Sequence, residues 1–338
     1  MHLNFLREQW FRSKKKKVVA VVATAAAAEN RGSGIPSVSA GCGEIMRLGI
    51  FGQADSTYVR LLQQAAVARG DAVQTLSFEQ FSARVSAGKL SFYCAEHQLS
   101  GFDAVIVRTM PPGSLEQVVA RMDLLQGLES TGIRIVNSPR ALECAVDKYL
   151  TTQRLAEQGI PVPDTVICEG AESALEAFER LGRDVVVKPL FGAEGRGIVR
   201  VTDPEIAMRV FRSLQRISAV LYVQKFVAGP GFDLRLLLLD GQLLGAMQRT
   251  PRPGDFRANI SQQGTGSRWQ PSPDELQLAT AAAKVVGAVF SGVDLMYDST
   301  GLPLVIEVNA VPGWRGLQQT CGVDVPGLLL DWLQQTCR

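Results

Sequence analysis

From Met46 onward, short apolar runs alternate with segments whose apolar residues recur at three- and four-residue spacing. Arg47–Gly52 reads as a strand ending in a glycine turn. Ser56–Arg69 carries Tyr58, Leu61, Leu62, Ala65 and Ala66 on one helical face and stops at Gly70. Ala72–Leu76 is a second strand. Asp103–Arg108 is a third, an unbroken apolar run of the kind found in buried parallel strands. A helix over Ser114–Ser130 ends before Gly132, and Ile133–Asn137 makes a fourth strand. This alternation predicts an α/β domain, a parallel open sheet with helices on both faces.

The pattern changes after Asn137. Ser138-Pro139 opens a helix predicted to run through Asp147-Lys148 to about Gln158, with Gly159 as its stop. Thr165–Cys168 is a strand and Ala171–Leu181 a helix. Strands follow at Asp184–Leu190, Ile198–Val201 and Leu221–Val227. Phe232–Leu239 turns at Asp240-Gly241 into Leu243–Arg249, which puts Arg235 and Arg249 on adjacent strands. Pro273–Phe290 is a helix capped at Ser272. Gly292–Met296 and Leu304–Asn309 are paired strands around the turn Asp298–Gly301.

Composition narrows the chemistry. The chain has 338 residues, 20% charged, with a formal net charge of +2. Residues 1–46 hold seven basic and three acidic side chains, so the remainder is slightly acidic and nucleic acid is not an expected partner. The only histidines are His2 and His97, the latter in a polar stretch that reads as surface. A histidine-rich zinc site is excluded. The six cysteines form no CxxC pair, which fits reduced thiols in a cytoplasmic protein. The Lys14–Lys17 run before the apolar stretch Val18–Ala28 imitates a signal peptide, but a stretch of 11 residues falls short of the ~20 that span a bilayer. Residues 1–45 are read as a disordered extension or a start misplaced ahead of Met46, with a targeting sequence as the alternative, and no membrane partner is expected.

Chemistry must therefore run on carboxylates, Lys, Arg, amides or a metal. The loop after the first strand, Gly52–Asp55, lacks GxGxxG, which disfavours a dinucleotide site. Arg108-Thr109-Met110, at the carboxyl end of a strand, is either a site or a solvated turn. Lys188 ends an apolar strand, and Gly192, Gly195 and Gly197 follow. Such glycines free backbone amides to wrap a phosphate, although a plain flexible turn needs them too. No helix follows, against a Rossmann loop, and no GK[ST], against Walker A. A glycine-rich hairpin lid over a nucleotide remains, with Lys188 at its base. Arg249, Arg252, Arg257 and Arg268 suit carboxylate or phosphate recognition, or form a solvated loop. Glu307 and Asn309, two apart, share a strand face, and Asp294 lies on the paired strand. Three oxygen-bearing side chains make a hard ligand set of the kind magnesium takes beside phosphates; structural pairing of the acids is the alternative.

In order and spacing, Val187-Lys188-Pro189-Leu190, the glycine-rich lid, Asp233-Leu234-Arg235, Asp255–Asn259 and Glu307–Gly313 together resemble the ATP-grasp superfamily, and within it the RimK-type glutamate ligases. The resemblance covers about Met46 to Leu333. It implies a pre-ATP-grasp domain over 46–140 and two α+β subdomains, 141–226 and 227–338, clamping the nucleotide. Lys148 and Lys188 would hold ATP phosphates. Gln224, Lys225, Phe226 and Val227 would line the adenine pocket, with Asp233 just beyond. Arg235, Arg249, Arg257 and Asn259 would be catalytic. Asp294, Glu307 and Asn309 would hold two magnesium ions, with manganese as a substitute. The implied activity is an ATP-dependent carboxylate–amine ligase working through an acyl-phosphate. It would add L-glutamate to a small-molecule or protein carboxylate, in a homo-oligomer; the alternative is a nucleotide-binding relic with a regulatory or scaffold role. Two departures stand out. Ser261–Thr265 replaces an Arg-Gly-Gly-like stretch, which bears on the acceptor. Pro312–Leu317, with Trp314 and Arg315, resembles ligases acting on tetrahydromethanopterin-type pterins.

Overall fold

The computed structural model describes residues 45–192, 195–255 and 265–337. The N-terminal segment before residue 45 and the predicted site residues Arg257 and Asn259 lie outside the described residues.

The first unit is β1 (Arg47–Phe51), α1 (Thr57–Ala68), β2 (Ala72–Leu76), β3 (Phe81–Ser86), β4 (Lys89–Cys94), β5 (His97–Gln98), β6 (Ala104–Val107), α2 (Leu115–Ser130) and β7 (Arg134–Val136). Strands β2-β1-β6-β7 form the expected parallel sheet. The small antiparallel sheet β3-β4-β5 carries no clear period in the sequence, because most of its residues are exposed. Its tight turn is Ala87-Gly88, both left-handed at φ 49° and 74°, so alanine stands where asparagine would have signalled the hairpin. His97 is exposed, as read.

Next come α3 (Pro139–Val146) and α4 (Lys148–Glu157). The single helix expected here is two. Asp147 leaves the helical region at ψ 104° and accepts a hydrogen bond from the Leu150 amide at 2.9 Å, capping a new helix. The following unit is β8 (Thr165–Cys168), α5 (Ala171–Arg180), β9 (Val185–Lys188), β10 (Val199–Val201), α6 (Pro204–Arg216) and β11 (Leu221–Lys225). Its antiparallel sheet runs β10-β9-β11-β8, and Phe178 and Phe211 from α5 and α6 are buried in its core.

The last unit holds β12 (Asp233–Leu239), β13 (Gln242–Thr250), β14 (Thr265–Arg268), α7 (Pro273–Val286), β15 (Phe290–Tyr297), β16 (Pro303–Asn309), α8 (Arg315–Cys321) and α9 (Val325–Thr336). The antiparallel order is β14-β13-β12-β15-β16. Leu236–Leu239 is apolar without alternation because β12 is covered on both faces. Leu236 and Leu238 belong to the core that includes Ala279 and Ala282 of α7; Leu237 and Leu239 join Trp314, Leu317 and Leu330. Helix α7 stops at Val286, short of the predicted Phe290, because Gly287 turns left-handed at φ 78°.

One polar side chain fastens the first sheet to the last. Asn137, buried just after β7, donates to the carbonyls of Phe290 and Ala310, both at 2.6 Å, and accepts from the Phe290 amide at 2.9 Å. No described helix is long and apolar enough to cross a membrane.

Candidate active site

The four-stranded and five-stranded antiparallel sheets both contribute to one cleft. Lys148 reaches it because Asp147 breaks the helix, making Lys148 the first residue of α4; its Nζ donates to the Gly192 carbonyl at 2.7 Å. Lys188, the last residue of β9, donates from Nζ to Gln224 Oε1 at 2.7 Å. The other end of that amide is held in turn: Gln224 Nε2 donates to Thr165 Oγ1 at 2.9 Å and to the Tyr222 hydroxyl at 3.0 Å. Thr152 Oγ1 and the Tyr222 hydroxyl lie 2.8 Å apart. Burial pushes Lys188 down to about 8, against the pull of Glu307, while the charge on Lys148 lowers it further. Lys148 is lowered for the same first reason, with Glu307 and Asp147 opposing.

On the five-stranded sheet, register places Arg235 opposite Asp294 and Arg249 opposite Asp233. Arg235 grips Asp294 through two bonds of 2.7 and 2.6 Å, and Arg249 grips Asp233 at 2.6 and 2.8 Å. Arg249 also lies 3.0 Å from Asp294. Burial raises Asp233 despite Arg249. Burial would raise Asp294 too, but the two guanidiniums hold it below the usual carboxylate range. The cations that meet Asp294 come from β12 and β13, 59 and 45 positions away in the chain.

Glu307 stands opposite Asp294 on β16 and lines the cleft. Among the described residues, neither a hydrogen bond nor an ion pair holds its carboxylate. Asn309, opposite Gly292, donates to that residue's carbonyl at 3.4 Å, leaving its amide oxygen unspent. Among the described residues no three His, Cys, Asp or Glu side chains cluster as a metal site. Glu307 and Asn309 nonetheless fit a magnesium ion that takes its remaining ligands from phosphates and water.

Gly192 and Gly195 line the cleft, whereas Gly197, left-handed at φ 72°, turns against Pro189 outside it. Lys225, Phe226 and Val227 form one wall, and Val186, Ile198, Met296 and Ile306 give it apolar surface suited to a flat base. Arg235 and Asn309 are not among the lining residues. Sequence reasoning missed Thr152, Thr165 and Tyr222, whose polar side chains carry no motif; Thr165 and Tyr222 bond Gln224, and Tyr222 also lines the cleft.

Residues 145–333 match the model of the RimK-like ATP-grasp domain, and residues 46–142 that of the RimK PreATP-grasp domain. The chain belongs to the RimK-like ATP-grasp family, a family of ligases. It is 32% identical over 280 residues to tetrahydromethanopterin:alpha-L-glutamate ligase of Methanosarcina acetivorans, covering 75% of this chain and 86% of that one. A probable alpha-L-glutamate ligase of Xanthomonas campestris is 33% identical over 298 residues, 87% of this chain and all of that one. Among solved structures, the RimK domain ATP-grasp protein of Sphaerobacter thermophilus aligns with a TM-score of 0.65 at 25% identity, over 85% of this chain and 98% of that one. The ATP-grasp ligase PsnB, solved with its minimal precursor, aligns at 0.70 with 21% identity, over 85% and 98%.

Proposed function

We propose that the protein is a cytoplasmic, ATP-dependent ligase that joins L-glutamate to a substrate carboxylate as an amide. The observation that carries this reading is the pair Lys148 and Lys188, half-desolvated and aimed into one cleft with Glu307. Three charges in one partly buried cleft suit a polyphosphate and its metal. The names of the relatives support glutamate as the added residue.

In this reading Lys148 and Lys188 hold ATP phosphates. Phe226, Val227 and Met296 bracket the adenine. Asp294, Glu307 and Asn309 would hold magnesium, as two ions, with manganese able to replace them. When bound there, the metal would supply positive charge to the phosphoryl group in transfer. A carboxylate oxygen of the acceptor attacks the γ-phosphorus, and ADP leaves. The amine of glutamate then attacks the acyl carbon, loses its proton, and expels inorganic phosphate. Arg249, fixed by Asp233 and Asp294, presents positive charge toward the transferred group without having to reorganise. Arg235 acts through Asp294, and Arg257 and Asn259 complete the substrate side. The loop bearing Gly192 and Gly195 covers the nucleotide and keeps water from the acyl-phosphate. The units 46–140, 141–226 and 227–338 are then a pre-ATP-grasp domain, a lid subdomain and a metal-bearing subdomain. The acceptor is a pterin-type small molecule or a protein tail, and the enzyme works as a homo-oligomer.

ADP release from magnesium-ATP, with L-glutamate plus a small-molecule extract of the source cell, tests this against each component alone. Turnover that needs both supports it, and mass spectrometry for a glutamate-sized gain then finds the acceptor. Turnover unchanged in Lys188→Ala would sink the assignment.

A further inference from the structure

Arg108 follows β6 at the carboxyl edge of the parallel sheet, where open sheets take their ligands. It is 6% exposed. Its guanidinium carbon lies 4.3 Å from the Trp314 ring centroid and 4.9 Å from that of Tyr58. Nη2 donates to the Pro312 carbonyl at 3.0 Å, whereas Nε, buried, has no partner. Among the described residues no carboxylate pairs with this cation. Burial pushes it down to about 10, with only Tyr58 opposing. The indole N–H of Trp314, fully buried against the same guanidinium, is also unmatched. The cluster therefore holds surplus donors, an uncompensated positive charge and two aromatic walls. A buried charge without a counter-charge is costly, and an anionic ligand removes the cost. With its face against rings, a guanidinium still offers its edge to a planar carboxylate.

The location favours a substrate. Pro312 is three residues beyond Asn309, and a Cβ on Gly292 would lie 3.1 Å from Pro312 and 3.6 Å from Arg235 Nε. The cluster thus adjoins the acidic strands on the side of the first domain.

We infer that Arg108, walled by Tyr58 and Trp314, binds a carboxylate of the amino-acid substrate that does not react. This rests on the ligase reading above. The reacting carboxylate must lie against the phosphates in the cleft of Lys148 and Lys188, and Arg108 is not among the residues lining it. The donor glutamate brings two carboxylates that stay intact and need a fixed cation.

The test is calorimetric titration of L-glutamate into the full-length protein loaded with magnesium and a non-hydrolysable ATP analogue. Arg108→Met is expected to weaken glutamate tenfold or more and to leave the affinity for the ATP analogue within twofold. Arg108→Lys keeps the charge without the fork and serves if the methionine variant fails to fold. Of γ-aminobutyrate and L-2-aminobutyrate, the compound lacking the anchored carboxylate should bind wild type and variant alike. Unchanged glutamate affinity in a folded variant overturns the inference, as does equal sensitivity to both analogues. A wild-type protein that binds the nucleotide but never glutamate overturns the ligase reading instead, and this site with it.

Discussion

Lys188 Nζ and Gln224 Oε1 are 2.7 Å apart, and every other polar atom of the Gln224 amide is already committed to Thr165 or Tyr222. The resemblance implies a place for Gln224 in the adenine wall; it lines the cleft, and its side chain also holds the lysine. A buried ammonium with one fixed acceptor is held in place but not neutralised, and its remaining two protons are available to phosphate oxygens.

Gln224→Leu should therefore cost more than its own contact. Hydrogen bonds to charged groups contribute about 1.5–3 kcal/mol, so kcat/KM for ATP is expected to fall by roughly tenfold to a hundredfold. Steady-state kinetics with varied magnesium-ATP reads this, and an unchanged kcat/KM would refute the positioning role.

Affinity for magnesium-ATP should depend on pH through Lys188. Its pKa is lowered to about 8, so it is charged below that pH and neutral above it. Nucleotide affinity is therefore flat at acidic pH and falls as pH rises through about 8, with proton uptake on binding in that range. In Gln224→Leu the ammonium loses its acceptor, and the inflection should move to lower pH. Calorimetry in buffers of different ionisation enthalpy measures both.

Asp294→Asn should destabilise the fold. The substitution removes the charge shared by buried Arg249 and half-buried Arg235; breaking such a pair from one side costs about 3–5 kcal/mol. Denaturant unfolding gives the difference directly. The loss should be smaller in Arg235→Met/Asp294→Leu, which removes that pair together and leaves Arg249 its bond to Asp233.

Glu307→Gln should leave the fold nearly intact, because no described residue hydrogen-bonds or ion-pairs with that carboxylate. Turnover should be lost at any magnesium concentration. Normal magnesium dependence in this variant would remove Glu307 from the metal site.

Asp147→Ala removes the cap of α4 and should cost about 1 kcal/mol of stability. It should also raise KM for ATP, because Lys148 is the first residue of the helix that the cap begins. Thermal unfolding and kinetics separate the two effects, and stability loss without a KM change would show that Lys148 is placed by other contacts.

Much of this protein was legible in its sequence. Runs such as Ala104–Val107 and Leu236–Leu239 are long, apolar and uninterrupted, so local composition alone marks them as strands buried on both faces. The glycines around Lys188, and the two-residue step from Glu307 to Asn309, carry their chemistry in short-range spacing, and that spacing survives whatever the rest of the chain does. The break at Asp147 did not show, because its residues are all tolerated in a helix and only the cap geometry ends one. The hairpin at Ala87-Gly88 lacked its usual turn residues. Which cations meet Asp294 was decided by strand order: a period of two says which face a residue takes, but not which strand lies beside it. The clustering of Arg108 with Tyr58 and Trp314 likewise needed β6, α1 and the segment after β16 to meet, 256 positions apart at the extremes. Local hydrogen bonding and hydrophobic period act over a few residues and can be read in order; charge pairing and desolvation act through space, and only the packed chain determines them.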